Sequence, residues 1–145
     1  MLVSTFAITA VASGRSSDRA TFPLLAIPET ENVPIERGFT FTDRLETTDR
    51  VPIDGWDGGR CINLNPDPED LSQWMCELVV HLPEGDIAMA GPFDFAGEAD
   101  ILFAVTGGTG AFRNARGEVE GIPVPDAEDG RVFSVYRLLG ASANY

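Results

Sequence analysis

The chain contains no lysine: all ten basic residues among its 145 are Arg. That absence removes Schiff-base and lysine-nucleophile chemistry. Histidine is almost missing too. With His81 alone, a multi-His metal site is excluded, and a Ser–His–Asp or Cys–His machine would have to use that one residue. The two cysteines, Cys61 and Cys76, are too few for a disulfide-stapled scaffold and lack metal-ligand spacing. They read as reduced core thiols, which fits a reducing cytoplasm. No apolar stretch approaches the roughly 20 residues that a membrane-crossing helix needs. Positive charge is scarce against 23 acidic residues, for a formal net charge of −13. Such a surface repels polyphosphate and anionic lipid, so neither nucleic acid nor a membrane is an expected partner. No metal or other cofactor is expected.

What is present points to β structure. Fifteen Gly and ten Pro are more turn-formers than a helical bundle of this length absorbs. Runs of β-branched and aromatic residues, separated by Gly, Pro, Asn and Asp clusters, predict strands at residues 2–12, 37–45, 59–65, 73–82, 85–91, 99–106, 111–120 and 131–140. The first run, LVSTFAITAVA, has the look of a signal peptide. No positive charge precedes it, the first Arg being Arg15, so it reads as a retained strand. Pro83-Glu84-Gly85 marks a tight hairpin, Gly107-Gly108-Thr109-Gly110 supplies positive-φ positions, and Asp129-Gly130 opens the last strand. Residues 13–36 and 46–58 read as long rim or lid loops, the second carrying Trp56. The whole chain, 1–145, reads as one domain. From periodicity alone it is a sandwich or a barrel, and a barrel of about eight strands either fills with side chains or holds one small ligand.

The segment GPFDF, Gly91 to Phe95, followed by ADILFAVTGGTGAFRNARGEVEG, Ala99 to Gly121, resembles the allene oxide cyclase and dirigent protein superfamily. FTDRLE at Phe41 to Glu46, GGRCINL at Gly58 to Leu64 and the Pro83-Glu84-Gly85 hairpin fall in that superfamily's order, so the resemblance covers roughly residues 35–140. It implies an all-β, eight-stranded antiparallel β-barrel of calycin type, with an internal apolar cavity as the site. The plant cyclases' polar cluster is not matched: the corresponding stretch reads FAITAVASGRSSDR, their barrel Asn falls at Asp43, and their Tyr after Gly-Pro falls at Phe93. Cys61 is retained. In size and layout the chain is more similar to small bacterial spirotetronate-type cyclases of polyketide pathways, Diels-Alderases that perform intramolecular [4+2] cycloadditions. It shares their F-x-D-x-L strand and an aromatic-Arg pair, Tyr136-Arg137, on the last strand.

Asp43 and Cys61 set the inward phase by this resemblance, and a period of two extends it. The inward sets are Phe39, Phe41, Asp43 and Leu45; Cys61, Asn63 and Asn65; Trp74, Cys76, Leu78 and Val80; Ile87, Met89 and Phe93; and Ser134, Tyr136 and Leu138. Thr42, Arg44, Glu77, His81 and Arg137 face out. Asp43, Tyr136 and Ser134 are the candidate catalytic residues. A carboxyl in an apolar lumen is expected to hold its proton and to polarise a carbonyl or act as acid or base; the other reading of Asp43 is an ion pair with an Arg near the barrel end. Substrate contacts are expected from Phe41, Trp56, Cys61, Asn63, Trp74, Cys76, Leu78, Met89, Phe93, Phe95 and Leu138. The expected activity is [4+2] cyclisation of a linear, hydrophobic, polyketide-like substrate. The alternatives are an acid/base isomerase-cyclase and a non-catalytic dirigent- or lipocalin-like binder. Outward Ala88, Ala90 and Leu102 suggest a homo-oligomer, a dimer or a trimer.

Overall fold

A computed structural model of the chain describes residues 19–97 and 100–141. Side-chain alternation in these segments resolves into nine strands: β1 (Arg19–Pro28), β2 (Val33–Ile35), β3 (Gly38–Glu46), β4 (Pro52–Asn63), β5 (Trp74–Leu82), β6 (Gly85–Phe93), β7 (Ile101–Gly108), β8 (Arg116–Pro123) and β9 (Val132–Leu139), with a 3-10 turn at Gly110–Phe112. Neighbours in the sheet run β1, β9, β8, β7, β6, β5, β4, β3, β2. A further antiparallel pairing of β1 with β3, from Leu25 opposite Glu46 to Pro28 opposite Asp43, closes the ring. The architecture is therefore an eight-stranded antiparallel barrel, with the short β2 laid along the start of β3. Asp43 sits where β3 exchanges β2 for β1 as its partner.

The expected first strand, residues 2–12, lies outside the described residues. The barrel strand that opens the described chain is instead β1, inside a stretch expected to be a loop because it holds Pro23, Pro28 and Pro34. Proline lacks a ladder N–H and is confined to edges, strand ends and bulges. The structure puts each of these prolines where that rule allows. Among the described residues β1 meets β3 only from Leu25 onward, so Pro23 has one sheet neighbour, Val135; Pro28 ends its strand; Pro34 is in the outlying β2. Likewise 46–58 is not one loop. Pro52 is the first residue of β4, and Trp56 and Asp57 are strand residues paired with β3 and β5.

One end of the barrel is packed solid. Phe22, Leu45, Val80, Ile87, Phe112 and Leu138 fill it, all buried, and Phe22 stacks on Tyr136 with ring centroids 4.9 Å apart and 6° between planes. Phe112 reaches this plug because Gly110 adopts a positive φ of 56°, turning the chain from β7 into the barrel floor. That turn is why β8 begins at Arg116 and not at residue 111 as expected. Thr109 N–H donates to the Asp86 carbonyl at 2.9 Å and Ala111 N–H to the Glu84 carbonyl at 3.0 Å, fastening the turn to the β5–β6 hairpin.

The cysteines are not free thiols. Cys61 and Cys76 are directly opposed in the β4–β5 register, with Cα atoms 4.1 Å apart, and form a disulfide. The sequence placed both on the inner face but read them as reduced; pairing was decided by register, which brings their Cβ atoms together. Disulfides persist in oxidising surroundings, so the cysteines do not point to a reducing cytoplasm. Among the described residues no helix is long and apolar enough to cross a membrane.

Candidate functional site

Above the plug the barrel opens into a cavity of about 290 Å³, the volume of roughly ten liquid waters. Two inward glycines let neighbouring side chains close up against the backbone: a Cβ at Gly121 would lie 3.3 Å from both Ile101 and Val132, and one at Gly91 would meet the Phe103 ring at 2.7 Å. Aromatic rings line the walls: Phe39, Phe41, Phe93, Phe95, Phe103 and Tyr136. The mouth is formed by strand ends and loops, with Pro28, Asn32 and Phe95 around it.

Into this apolar wall two carboxyls project. Asp43 on β3 and Asp57 on β4 are directly opposed in register, and both line the cavity. Asp57 is only 4% exposed, and its Oδ1 is buried without a hydrogen-bond partner. Burial pushes the Asp57 carboxyl well above the usual carboxylate range, and both the hydrogen bond to Asp43 and the charge of Asp43 push it further. Burial also raises Asp43, while the hydrogen bond from Asp57 works in the opposite direction. Ionisation of either carboxyl opposes ionisation of the other, so the arrangement favours holding a proton on the pair. Tyr136, fully buried beside them, is raised well above an ordinary phenol by burial first and then by the charges of Asp57 and Asp43. It remains a neutral O–H donor. No salt bridge among the described residues involves Asp43, so the ion-pair reading is not met; the arginine ion pairs, such as Arg60 with Glu77 and Arg137 with Glu120, lie on the outside.

The sequence-stated residues divide cleanly by position. Asp43, Ser134 and Tyr136 share the cavity wall, as do Phe41, Leu78, Met89, Phe93 and Phe95 and the Cys61–Cys76 disulfide. Four others lie elsewhere. Trp56 is on the outer face, 45% exposed, stacked on His81 at 5.7 Å; its neighbour Asp57 takes the inward position. Asn63 is buried but turned into its own loop, donating to the Asp70 carbonyl at 3.1 Å and accepting from Asn65 N–H at 2.9 Å. Leu138 belongs to the solid floor. Trp74 packs edge-on against Phe95 at 4.9 Å and beside Phe39 at 5.7 Å, buttressing the rim without lining the cavity. The residue that sequence reading missed is Asp57. Counting back by twos from Cys61 through Gly59 reaches it, but the loop assignment for 46–58 stopped the count. Among the described residues no group of three His, Cys, Asp or Glu is placed to hold a metal ion.

No protein-family profile matches the chain, and no curated protein matches it in sequence. Solved structures do. A pyocyanin demethylase is 26% identical with a TM-score of 0.62, covering 81% of this chain and 98% of its own. A nonspecific heme-binding cyclase that catalyses [4+2] cycloaddition during neoabyssomicin biosynthesis is 20% identical with a TM-score of 0.66, covering 91% of this chain and 73% of its own. The fold is the cyclase and dirigent type of barrel. A pterocarpan synthase dirigent protein shares it at 15% identity and a TM-score of 0.53, over 90% of this chain and 96% of its own. These likenesses of barrel to barrel carry architecture and leave the reaction to be argued from the site.

Proposed function

We propose that this barrel is a natural-product cyclase that folds a linear, polyketide-like substrate in its lumen and closes a ring by intramolecular [4+2] cycloaddition. One observation carries the reading: an aromatic cavity, closed at one end, has on its wall two directly opposed carboxyls, both raised by burial, and a buried phenol. Pericyclic ring closure needs no nucleophile. It needs diene and dienophile held in a reactive conformer, which contributes up to roughly 7–11 kcal/mol in favourable cases. The volume suits the ring-forming part of a substrate, with the remainder leaving through the mouth past Phe95. The Asp57 proton or the Tyr136 O–H, donated to a carbonyl conjugated with the dienophile, would draw electron density from it and stabilise the transition state. The structural neighbour described as a cyclase that catalyses [4+2] cycloaddition supports this choice.

The test is incubation with a linear compound carrying a conjugated diene and an unsaturated ketone, following loss of diene absorbance and the enantiomer ratio of product. Acceleration with one enantiomer in excess is expected. Racemic product at the uncatalysed rate would overturn the proposal, and retention of the compound without turnover would mark a dirigent-like binder.

A second reading is favoured by the carboxyl pair itself. An acid and a base side by side suit an isomerase-cyclase that moves a proton during ring closure. Under this reading the rate follows a bell-shaped pH profile that disappears in Asp57→Asn, whereas a purely conformational catalyst retains most of its rate. As part of the same proposal, the outward small side chains Ala88 and Ala90 on β6 and the exposed Leu102 on β7 suit self-association, which light scattering of the parent and Leu102→Glu proteins checks.

A further inference from the structure

Among the described residues the charged groups of the lumen are all of one sign. The titratable side chains they place on the cavity wall are Asp43 on β3, Asp57 on β4 and Tyr136 on β9; no described Arg or His lines it, and Cys61 and Cys76 are tied up in their disulfide. A buried carboxyl whose Oδ1 has no donor is a costly arrangement that a ligand donor would relieve. Phe41, Phe93, Phe103 and Tyr136 line the same cavity, and aromatic rings attract a cation lying over them.

From these observations we infer that the lumen selects a hydrophobic organic cation: a molecule with an apolar body and a positively charged, N–H-bearing nitrogen that sits against Asp43 and Asp57. The inference rests on the lumen being the substrate site and narrows the substrate class within it. A nitrogen of this kind satisfies the orphan Oδ1 and supplies the counter-charge that the protein itself withholds, since its paired arginines are outside. A carboxylate of the same shape would face two carboxyls, with only the neutral donors Ser134, Tyr136 and Asn32 and no cation among the described residues of the wall to offset the repulsion. A cation beside the carboxyls favours their ionised form, so its docking releases a proton to solvent and leaves the Tyr136 O–H as the donor to a substrate carbonyl.

Three matched probes test this: 2-naphthylmethylammonium, 2-naphthylmethanol and 2-naphthoate, titrated calorimetrically into the full chain in two buffers of different ionisation enthalpy. The expected order places the ammonium at least tenfold tighter than the alcohol, with the carboxylate weakest, and the ammonium heat depends on the buffer. In Asp57→Asn, and separately in Asp43→Asn, the advantage of the ammonium over the alcohol shrinks several-fold while the alcohol still binds. The net charge of −13 would also attract cations at the surface, but that attraction is screened within about 8 Å at physiological salt. The lumen preference must therefore survive added salt. If the alcohol binds and the ammonium does no better, or if the preference persists in both Asn variants, the inference is overturned while the lumen remains the site. If none of the three binds, both the inference and the lumen reading fall.

Discussion

Asp43 and Asp57 lie directly across the β3–β4 ladder from one another, at the place where β3 passes from β2 to β1, and both side chains enter an otherwise apolar cavity. Directly opposed residues on one face of an antiparallel pair have Cβ atoms about 4.5–5.5 Å apart, and like charges at that separation are destabilising. A shared proton removes the conflict. The site's chemistry and part of its instability therefore come from one register position.

Stability should fall with rising pH because of this pair. Both carboxyls bind their proton more tightly in the folded chain than in the unfolded one, where the midpoint is about 3.9. Above that midpoint the folded state carries more protons than the unfolded state, so stability declines until pH passes the raised native values. Asp57→Asn should remove much of this decline, gaining on the order of 1 kcal/mol for each unit by which the native value is raised. Denaturant unfolding of the parent and variant from about pH 4 to pH 8 reads the difference. Parallel curves would refute it.

Tyr136→Phe keeps the ring that stacks on Phe22 and loses only the hydroxyl. Its thermal midpoint should stay close to the parent's, while the rate of cyclisation drops about 10²-fold, the usual cost of removing one donor from a developing negative charge. Steady-state kinetics with chiral analysis of product separate this loss from a change in binding. An unaltered rate would remove the phenol from the mechanism.

The Cys61–Cys76 bridge closes a loop with a sequence separation of 15. Constraint of the unfolded chain by a loop of that size is worth about 3 kcal/mol. Denaturant midpoints with and without reductant, and for the Cys61→Ala/Cys76→Ala protein, should show that loss. A change below about 1 kcal/mol would mean that the barrel does not depend on the bridge.

Trp56 and Phe41 should behave oppositely although both were expected to touch substrate. Phe41→Ala removes a ring from the cavity wall and should weaken binding of an apolar ligand by tenfold or more. Trp56→Ala alters only the outer stack on His81, costs less than about 1 kcal/mol, and leaves ligand affinity within about twofold. Equal effects on affinity would place Trp56 in the site after all.

Much of the site was legible in alternation. Once Asp43 and Cys61 were assigned to the inside, a period of two led to Phe41, Leu78, Met89, Ser134 and Tyr136, which line the cavity because alternation of faces persists along these strands. The same count went too far at both ends of the barrel: Leu138 is in the floor, and Asn63 turns to satisfy the loop that follows it. Alternation says which face a residue takes; it does not say how deep along the strand the cavity extends.

With the inward phase supplied by the family resemblance, the sequence by itself determined the all-β class, the turns at Gly85 and Gly110, and which residues of β3, β5 and β9 share a face. These are local properties of a few consecutive residues, set by side-chain alternation and by backbone angles that glycine tolerates. Tertiary structure decided the rest. It made β1 the closing strand, with prolines lodged where the ladder has only one side. It turned Cys61 and Cys76 into a disulfide and set Asp57 against Asp43. Each of these outcomes depends on which residue of one strand faces which residue of another, and that register is fixed only when the whole barrel closes on itself.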